Sequence, residues 1–380
     1  MRPMAAIPMA RILCKRTILA VWIAVSVLSS SCSSEEEFAE LVYFEDRWQA
    51  EPVDWSGLFS GERTIALQPP DEDPGAFQIA KVLVDSNGNL VVPDSKKRRV
   101  LFFASSGEFV RAVGKEGEGP GEFGFLRTLA LDSQDNLYVF DLNEHRLHVF
   151  EAPDYRFSQS FGLSTYLSAF FLDPAGGIIA YYPTAKDVLK KFDPQGNLVA
   201  KAFRPEREDI AIFLSRIQTG GIIGTPLGEV LLIHPDSFVI YHYDGNLKGK
   251  RILRSESHSK WRPRMPDFPE SLSPRTEGPE HKEWWDSHLH IGGIYWLGND
   301  LLAVTLYSIK GGDPRIWYLN LYTMQGRAIA EGVAIPQQGR VVGSSEDLIY
   351  VATQPALDQD GSVRPSSLRE YRLRKIVMRP

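Results

Sequence analysis

The stretch Asp85-Ser-Asn-Gly-Asn-Leu-Val-Val-Pro-Asp-Ser-Lys-Lys-Arg-Arg-Val-Leu-Phe-Phe103 decides the fold of this chain. It predicts a turn, a short apolar strand, a polar loop and a second apolar strand, because Asn-Gly supplies the positive φ angles of tight hairpins while Val, Leu and Phe favour strands. Residues 132–150 repeat this pattern as Asp-Ser-Gln-Asp-Asn-Leu-Tyr-Val-Phe-Asp-Leu-Asn-Glu-His-Arg-Leu-His-Val-Phe. The chain is therefore built from copies of one small β unit.

The spacing of the turn residues indicates how many units there are. Equivalents of the first turn fall at Gly88, Asp135, Gly176, Gly228, Asn299 and Glu346, with gaps of 47, 41, 52, 71 and 47 residues. Units of this length with four short strands each predict an all-β fold, a six-bladed propeller of four-stranded antiparallel blades. The last unit lacks an outer strand, and residues 62–68 are expected to supply it and so close the ring.

Two blade motifs and a connector resemble those of NHL-repeat six-bladed propellers. The blade motifs are Leu90–Asp94 with Arg99–Phe103 and their counterparts in residues 137–150, and the connector is the Gly-x-Gly-Pro-Gly-x-Phe segment at 117–123. The resemblance covers roughly residues 75–375. It implies six blades around a central channel, and it identifies the chain as similar to bacterial lipoproteins of this kind, which usually have no assigned activity.

Residues 1–31 resemble the signal peptide of a bacterial lipoprotein. Basic residues up to Arg16 precede the apolar run Thr17–Leu28, which is short for a membrane span, and small residues then lead to Cys32. The resemblance implies acylation of Cys32, and Ser33 after it resembles an outer-membrane sorting signal. We therefore expect an outer-membrane lipoprotein of the bacterial cell envelope, periplasmic or surface-exposed. An uncleaved anchor or an ordinary secretion signal is the alternative.

Composition and charge limit the partners of the remaining chain. Residues 32–60 are expected to form an acylated tether and lead-in, in which an acidic run at 35–37 is either a surface-display signal or a solvated tether, and residues 61–380 are expected to form the propeller. Residues 1–31 contain four basic residues and no acids, so the rest carries 38 basic against 48 acidic residues. This balance argues against nucleic acid as a partner.

One segment does not follow the repeat. The insertion at 255–290 accounts for the 71-residue gap and lies on the face that carries the longer loops, because the Asn-Gly and Ser-Gly turns occupy the other face. It contains five prolines and ends in His281-Lys-Glu-Trp-Trp-Asp-Ser-His-Leu-His290. A loop folded over the channel mouth is one interpretation, and a disordered excursion is another.

Candidate site residues come from this loop face. Trp284 and Trp285 could form a platform for a glycan or peptide, or they could be hydrophobic pins for the loop. The run at 96–99, which contains Lys97, could hold an anion or be a solvated loop, and Arg146 is the corresponding cation of the second blade. The imidazoles of the insertion could ligate a divalent metal ion such as zinc, and they belong to His281, His288 and His290.

The motif search favours binding over catalysis. The sequence contains no Gly-x-Ser-x-Gly, His-Glu-x-x-His, Walker or dinucleotide fingerprint. The first hypothesis is a membrane-anchored, non-catalytic scaffold that binds a peptide, glycan or partner protein through the face carrying the insertion. The alternative, drawn from lyases and lactonases among similar propellers, is a metal-dependent lyase or hydrolase with its site at the channel mouth.

Overall fold

The computed structural model is a six-bladed β-propeller, as the repeat predicts. It describes residues 38–45, 53–70, 78–163, 166–205, 220–255, 259–266, 279–298, 300–309, 315–353, 356–357, 363–364 and 366–375. Cys32 and the signal segment lie outside these residues. Within them, we find no helix with both the length and the apolar character that a membrane span requires.

Each blade is one four-stranded antiparallel sheet, numbered here from the channel outward. The strands of the first three blades are β3 (Leu83–Val84), β4 (Leu90–Asp94), β5 (Arg99–Phe103) and β6 (Phe109–Val113); β7 (Leu126–Leu131), β8 (Leu137–Asp141), β9 (Arg146–Glu151) and β10 (Arg156–Gly162); and β11 (Ala169–Leu172), β12 (Ile178–Tyr181), β13 (Leu189–Phe192) and β14 (Leu198–Ala202).

The other blades follow the same plan with longer connections. Their strands are β15 (Gly221–Gly224), β16 (Val230–Ile233), β17 (Ile240–Tyr243) and β18 (Gly249–Arg254); β19 (His290–Leu297), β20 (Leu301–Ser308), β21 (Ile316–Thr323) and β22 (Ala328–Ala334); and β23 (Arg340–Ser345), β24 (Leu348–Ala352) and β27 (Leu368–Leu373). A two-residue pair, β25 (Ala356–Leu357) and β26 (Val363–Arg364), lies between β24 and β27.

The N-terminal part of the chain completes the ring. Strand β2 (Phe59–Ile65) pairs antiparallel with β27 and is the outer strand of the sixth blade, which confirms the predicted closure although the strand begins earlier than residue 62. It follows a short helix, α1 (Trp55–Leu58). Strand β1 (Glu40–Tyr43) also joins the ring, because it pairs in parallel with β18 as a fifth strand of the fourth blade. Within the lead-in, the described segment Glu40–Tyr43 is therefore part of a propeller sheet.

The repeated turns have a structural role. In the first of them, Asp85 Oδ1 accepts hydrogen bonds from the backbone N–H groups of Asn87 (3.0 Å) and Asn89 (2.8 Å). The same bonds recur at Asp132, and Gly88 and its equivalents have the positive φ that the turn requires. In the fifth blade the positive φ falls at Asp300, one residue after the predicted marker Asn299, which lies outside the described residues.

Hydrophobic clusters hold neighbouring blades together. Six buried clusters lie in the six interfaces between consecutive blades, and the one that joins the sixth blade to the first contains Ile65, Leu90 and Tyr350. Because each blade buries both faces against its neighbours, the inner strands β3, β7, β11, β15, β19 and β23 are fixed around one channel.

Candidate functional site

The channel between the inner strands holds a cavity of about 500 Å³ to which all six blades contribute. A second cavity of about 390 Å³, here called the funnel, adjoins it. The two share Lys81, Thr128 and Ser168 among their lining residues, so the funnel is the mouth of the channel. The funnel also includes Ser95, in the loop between β4 and β5, and it therefore opens on the face that carries the longer loops.

Among the described residues, four cations line the funnel, and they come from four consecutive blades. Arg315 precedes β21 of the fifth blade and Arg340 begins β23 of the sixth. Lys81 lies just before β3 of the first blade, and Arg127 is the second residue of β7 in the second. Because the inner strands all begin at this end of the channel, residues far apart in sequence meet here.

Lys81 is half-buried beside the channel. Its ammonium donates a 2.7 Å hydrogen bond to the carbonyl oxygen of Leu129, and burial lowers the pKa of Lys81 to about 8. Arg340 donates to the carbonyl oxygen of Ile79 at 3.3 Å, and burial, with a smaller effect of the nearby Arg315, lowers the pKa of Arg340. Both groups therefore bear their charge at an energetic cost.

The two remaining guanidinium groups lie over aromatic rings. Arg127 lies 5.3 Å from the ring centroid of Tyr166, and Arg315 lies 5.2 Å from that of Tyr307. Burial lowers the pKa of Arg127, and no described residue accepts a hydrogen bond from its buried Nε. A ring face positions a cation without neutralising it.

Acidic side chains are missing from this part of the described structure. Among the described residues, no Asp or Glu lines either cavity, and none forms an ion pair with Lys81, Arg127, Arg315 or Arg340. Elsewhere most buried cations are paired: Arg99 contacts Asp94 at 3.0 Å and Lys191 contacts Asp173 at 2.7 Å. The funnel is thus a site of positive charge in a protein whose net charge is −6.

An aromatic stack connects the insertion to the funnel wall. Helix α2 (Pro279–Asp286) places Trp285 against His290 with ring centroids 4.6 Å apart. His290 stacks on Tyr307 at 5.0 Å, and Tyr307 contacts Trp317 at 4.8 Å. Since Tyr307 and Trp317 line the funnel, the end of the insertion packs beside the channel mouth.

The two predicted tryptophans are neighbours on α2, with ring centroids 5.7 Å apart. Trp284 is buried, with 7% of its surface exposed, and Trp285 is half-buried in the stack with His290. The burial of Trp284 and the stacking of Trp285 on His290 agree with the interpretation of these residues as hydrophobic pins for the insertion. Residues 256–258 and 267–278 of the insertion lie outside the described residues.

The predicted cations have structural contacts away from the funnel. Arg146 donates to Ser160 Oγ at 2.7 Å across β9 and β10. Lys97 is half-buried in the loop after β4, where its backbone N–H donates to Asp94 at 3.2 Å. Neither residue lines the funnel.

The histidines of the insertion are only partly brought together. The rings of His288 and His290 lie 4.4 Å apart, and burial lowers the pKa of each to about 4, so both are neutral at pH 7. His281 lies on α2. The part of the chain that the structure describes contains no group of three or more His, Cys, Asp or Glu side chains placed to hold a metal ion.

Sequence reasoning missed the four funnel cations. The sequence motifs draw attention to the insertion and to charge runs, whereas these four residues are isolated in sequence. The signal that could have revealed three of them is positional, because Lys81, Arg127 and Arg340 all lie at the start of an inner strand. In a propeller that position faces the channel mouth.

Comparisons with known proteins agree with this architecture. A family model described as a 6-bladed beta-propeller, DUF5128, matches residues 31–214, slightly less than half of the chain. No curated protein matches the sequence. A solved structure from Bacteroides fragilis, of a protein described as exported, is 16% identical with a TM-score of 0.60, over 88% of this chain and 100% of that one.

Two further solved structures are similar to parts of this chain. A member of the DUF4221 family from Bacteroides vulgatus is 11% identical with a TM-score of 0.58, over 83% of this chain and 97% of that one. Virginiamycin B lyase from Staphylococcus aureus is 9% identical with a TM-score of 0.48, over 81% of this chain and 83% of that one. At such identities the likeness concerns the fold and not the activity.

Proposed function

We propose that this protein is a membrane-anchored, non-catalytic propeller of the NHL type that binds a peptide, glycan or partner protein through the face carrying the 255–290 insertion. The observation that carries the proposal is the funnel: a concave site of about 390 Å³ with four charged side chains that have no acidic partner among the described residues. Convergent polar groups in a concave site are typical of ligand binding.

The scaffold supports such a role. The inner strands are fixed by the buried clusters between blades, so the funnel residues need little reorganisation to meet a ligand. The insertion is held in place by a buried ion pair between Arg262 and Glu331 at 2.6 Å. A rigid ring that presents loops at one channel mouth is well suited to selective binding.

The proposed location is the bacterial cell envelope, with the lipid on Cys32 as the membrane anchor and the outer membrane as the destination. Support comes from the signal-peptide pattern in residues 1–31, and from the Bacteroides fragilis relative that is described as exported. A Cys32→Ser variant is expected to move from the membrane fraction to the soluble fraction. Continued membrane partitioning of that variant would contradict acylation at this residue.

The binding role can be tested with two separate Ser→Trp variants, one on each face of the propeller. Ser95 is exposed and lines the funnel, so Ser95→Trp places a large ring in the mouth without removing a charge. Ser106 is exposed in the turn between β5 and β6, on the other face, and Ser106→Trp is the matched control. On peptide and glycan arrays, the wild type and the control should share a ligand that Ser95→Trp fails to bind. Equal binding by all three proteins would sink the proposal.

A metal-dependent lyase or hydrolase remains the second candidate, because two neutral imidazoles adjoin the channel mouth. Among the described residues, His288 Nε2 and His290 Nδ1 have no hydrogen-bond partner. If the site holds a divalent metal ion, elemental analysis of the purified protein should give about one equivalent, lost when His281, His288 and His290 are all changed to Ala. Metal-free protein would exclude this candidate.

A further inference from the structure

The charge of the funnel is opposite to that of the protein as a whole. The net charge of −6 makes a random surface patch more acidic than basic, yet the funnel collects Lys81, Arg127, Arg315 and Arg340 without an Asp or Glu among its described lining residues. Buried or half-buried cations in folded proteins are normally paired. Because these cations have no acidic partner among the described residues, the funnel is suited to a ligand that supplies the counter-charge.

Each of the four cations contacts an uncharged group, which positions the side chain without neutralising its charge. Lys81 and Arg340 donate to backbone carbonyl oxygens, and Arg127 and Arg315 lie over tyrosine rings. These contacts restrict the side chains before any ligand arrives. A preorganised set of donors loses less conformational entropy on binding than a set of flexible surface cations does.

The low pKa of Lys81 reflects the same arrangement. Burial lowers it to about 8, and the described part of the chain contains no carboxylate that would offset this effect. An anion bound beside the ammonium would raise that pKa again, because a nearby opposite charge favours the charged form. The site is therefore suited to gain more from an anionic ligand than from a neutral one.

The size and the donor types narrow the ligand class. A volume of about 390 Å³ lies at the small end of the range for small-molecule sites. Guanidinium groups match carboxylate and phosphate oxygens in a two-pronged geometry, and three of them surround the funnel. The apolar surfaces of Trp317 and Phe125, the latter 45% exposed, complete the wall and favour an organic ligand over a bare inorganic ion.

We propose that the funnel binds a small organic polyanion, carrying at least two carboxylate or phosphate groups, through Lys81, Arg127, Arg315 and Arg340. The inference rests on the proposed function, since it names the chemical class of ligand that this face accepts. The ligand enters from the loop face, and its anionic groups are bound by residues of the fifth, sixth, first and second blades. Its uncharged part lies against Trp317 and Phe125.

Calorimetric titration with citrate and with inorganic pyrophosphate tests the proposal. The wild type is expected to bind at least one of the two with 1:1 stoichiometry and a dissociation constant below about 1 mM at near-physiological salt. Binding of citrate assigns a carboxylate ligand, and binding of pyrophosphate assigns a phosphate ligand. Glycerol is the uncharged comparison and should give no saturable heat.

Variants locate the binding in the funnel. Arg127→Gln and Arg340→Gln are each expected to weaken binding about 10-fold to 100-fold, as the loss of one charged hydrogen bond does. Arg315 is exposed, so Arg315→Gln keeps the site testable even where a buried variant fails to fold. Arg156, 86% exposed on the outer strand β10, supplies the matched control Arg156→Gln, which should bind as the wild type does.

Three results would overturn the inference. The first is the absence of saturable binding of both probes up to about 10 mM, and the second is equal affinity in the wild type and the three funnel variants. The third is binding of oligogalacturonate or polyglutamate by a protein that binds neither citrate nor pyrophosphate, which would reject a small ligand. That last result, with loss of array binding in Ser95→Trp, would leave the proposed function standing and reject only the ligand class.

Discussion

Replacing Lys81 with Met should make the protein more stable at pH 7 while weakening its binding of anions. The ammonium of Lys81 is enclosed near the channel, and its pKa falls from 10.5 to about 8 through burial. Keeping that group charged at pH 7 therefore costs about 3 kcal/mol of folding free energy. The hydrogen bond to the carbonyl oxygen of Leu129 offsets about 1 kcal/mol of this cost. Met fills a similar volume without charge, so the variant should gain about 2 kcal/mol.

The pH dependence separates this effect from a general change in packing. The pKa of Lys81 is lower in the folded chain than in the unfolded chain, so between pH 8 and 10.5 the unfolded chain binds more protons. Stability of the wild type therefore rises with pH in this window through Lys81, and it does not do so in Lys81→Met. The advantage of the variant should be full below about pH 8 and should vanish above about pH 10.5.

Urea denaturation followed by tryptophan fluorescence at pH 7 and at pH 10 measures the stability gain of Lys81→Met and its dependence on pH. The matched control is Lys186→Met, because Lys186 is exposed and its replacement should change the unfolding free energy little at either pH. The reasoning is refuted if Lys81→Met is less stable than the wild type at pH 7, or if the difference between them is the same at both pH values.

Further substitutions test the scaffold. Glu331→Gln removes the carboxylate that pairs with the buried Arg262, and it should lower the unfolding free energy by about 3 kcal/mol or more. An unfolding free energy within about 1 kcal/mol of the wild type would contradict this. Gly107 and Gly88 both have positive φ, but of the two only Gly107 is placed so that an added Cβ would meet a backbone carbonyl. Gly107→Ala should therefore lower the melting temperature clearly more than Gly88→Ala. Equal shifts would show that this steric contact does not matter. Because the pKa of His290 is lower in the folded chain than in the unfolded chain, stability should fall as the pH drops from 6.5 towards 4. His290→Phe should reduce this fall when unfolding is followed as a function of acid pH. An unchanged pH profile in the variant would contradict this role of His290.

The repeated turns could be interpreted from sequence because their chemistry is local. Asp85 and Asp132 accept the same backbone N–H groups in their own turns, so a pattern of a few residues is enough to predict each hairpin. Ring closure was also predictable, since an open last blade leaves an unpaired edge that β2 covers. The parallel addition of β1 to the fourth blade had no such signal, because strand pairing over that distance depends on the assembled ring.

The sequence by itself determined the six-bladed ring and which loops share a face, because repeat length and turn residues act over short distances. Only the tertiary structure brought the proposed binding residues together. Lys81, Arg127, Arg315 and Arg340 are up to 259 positions apart, and none of them belongs to a motif. They meet because the ring brings the starts of the inner strands β3, β7 and β23, and the start of the third strand β21, to one channel mouth, and no local pattern encodes that proximity.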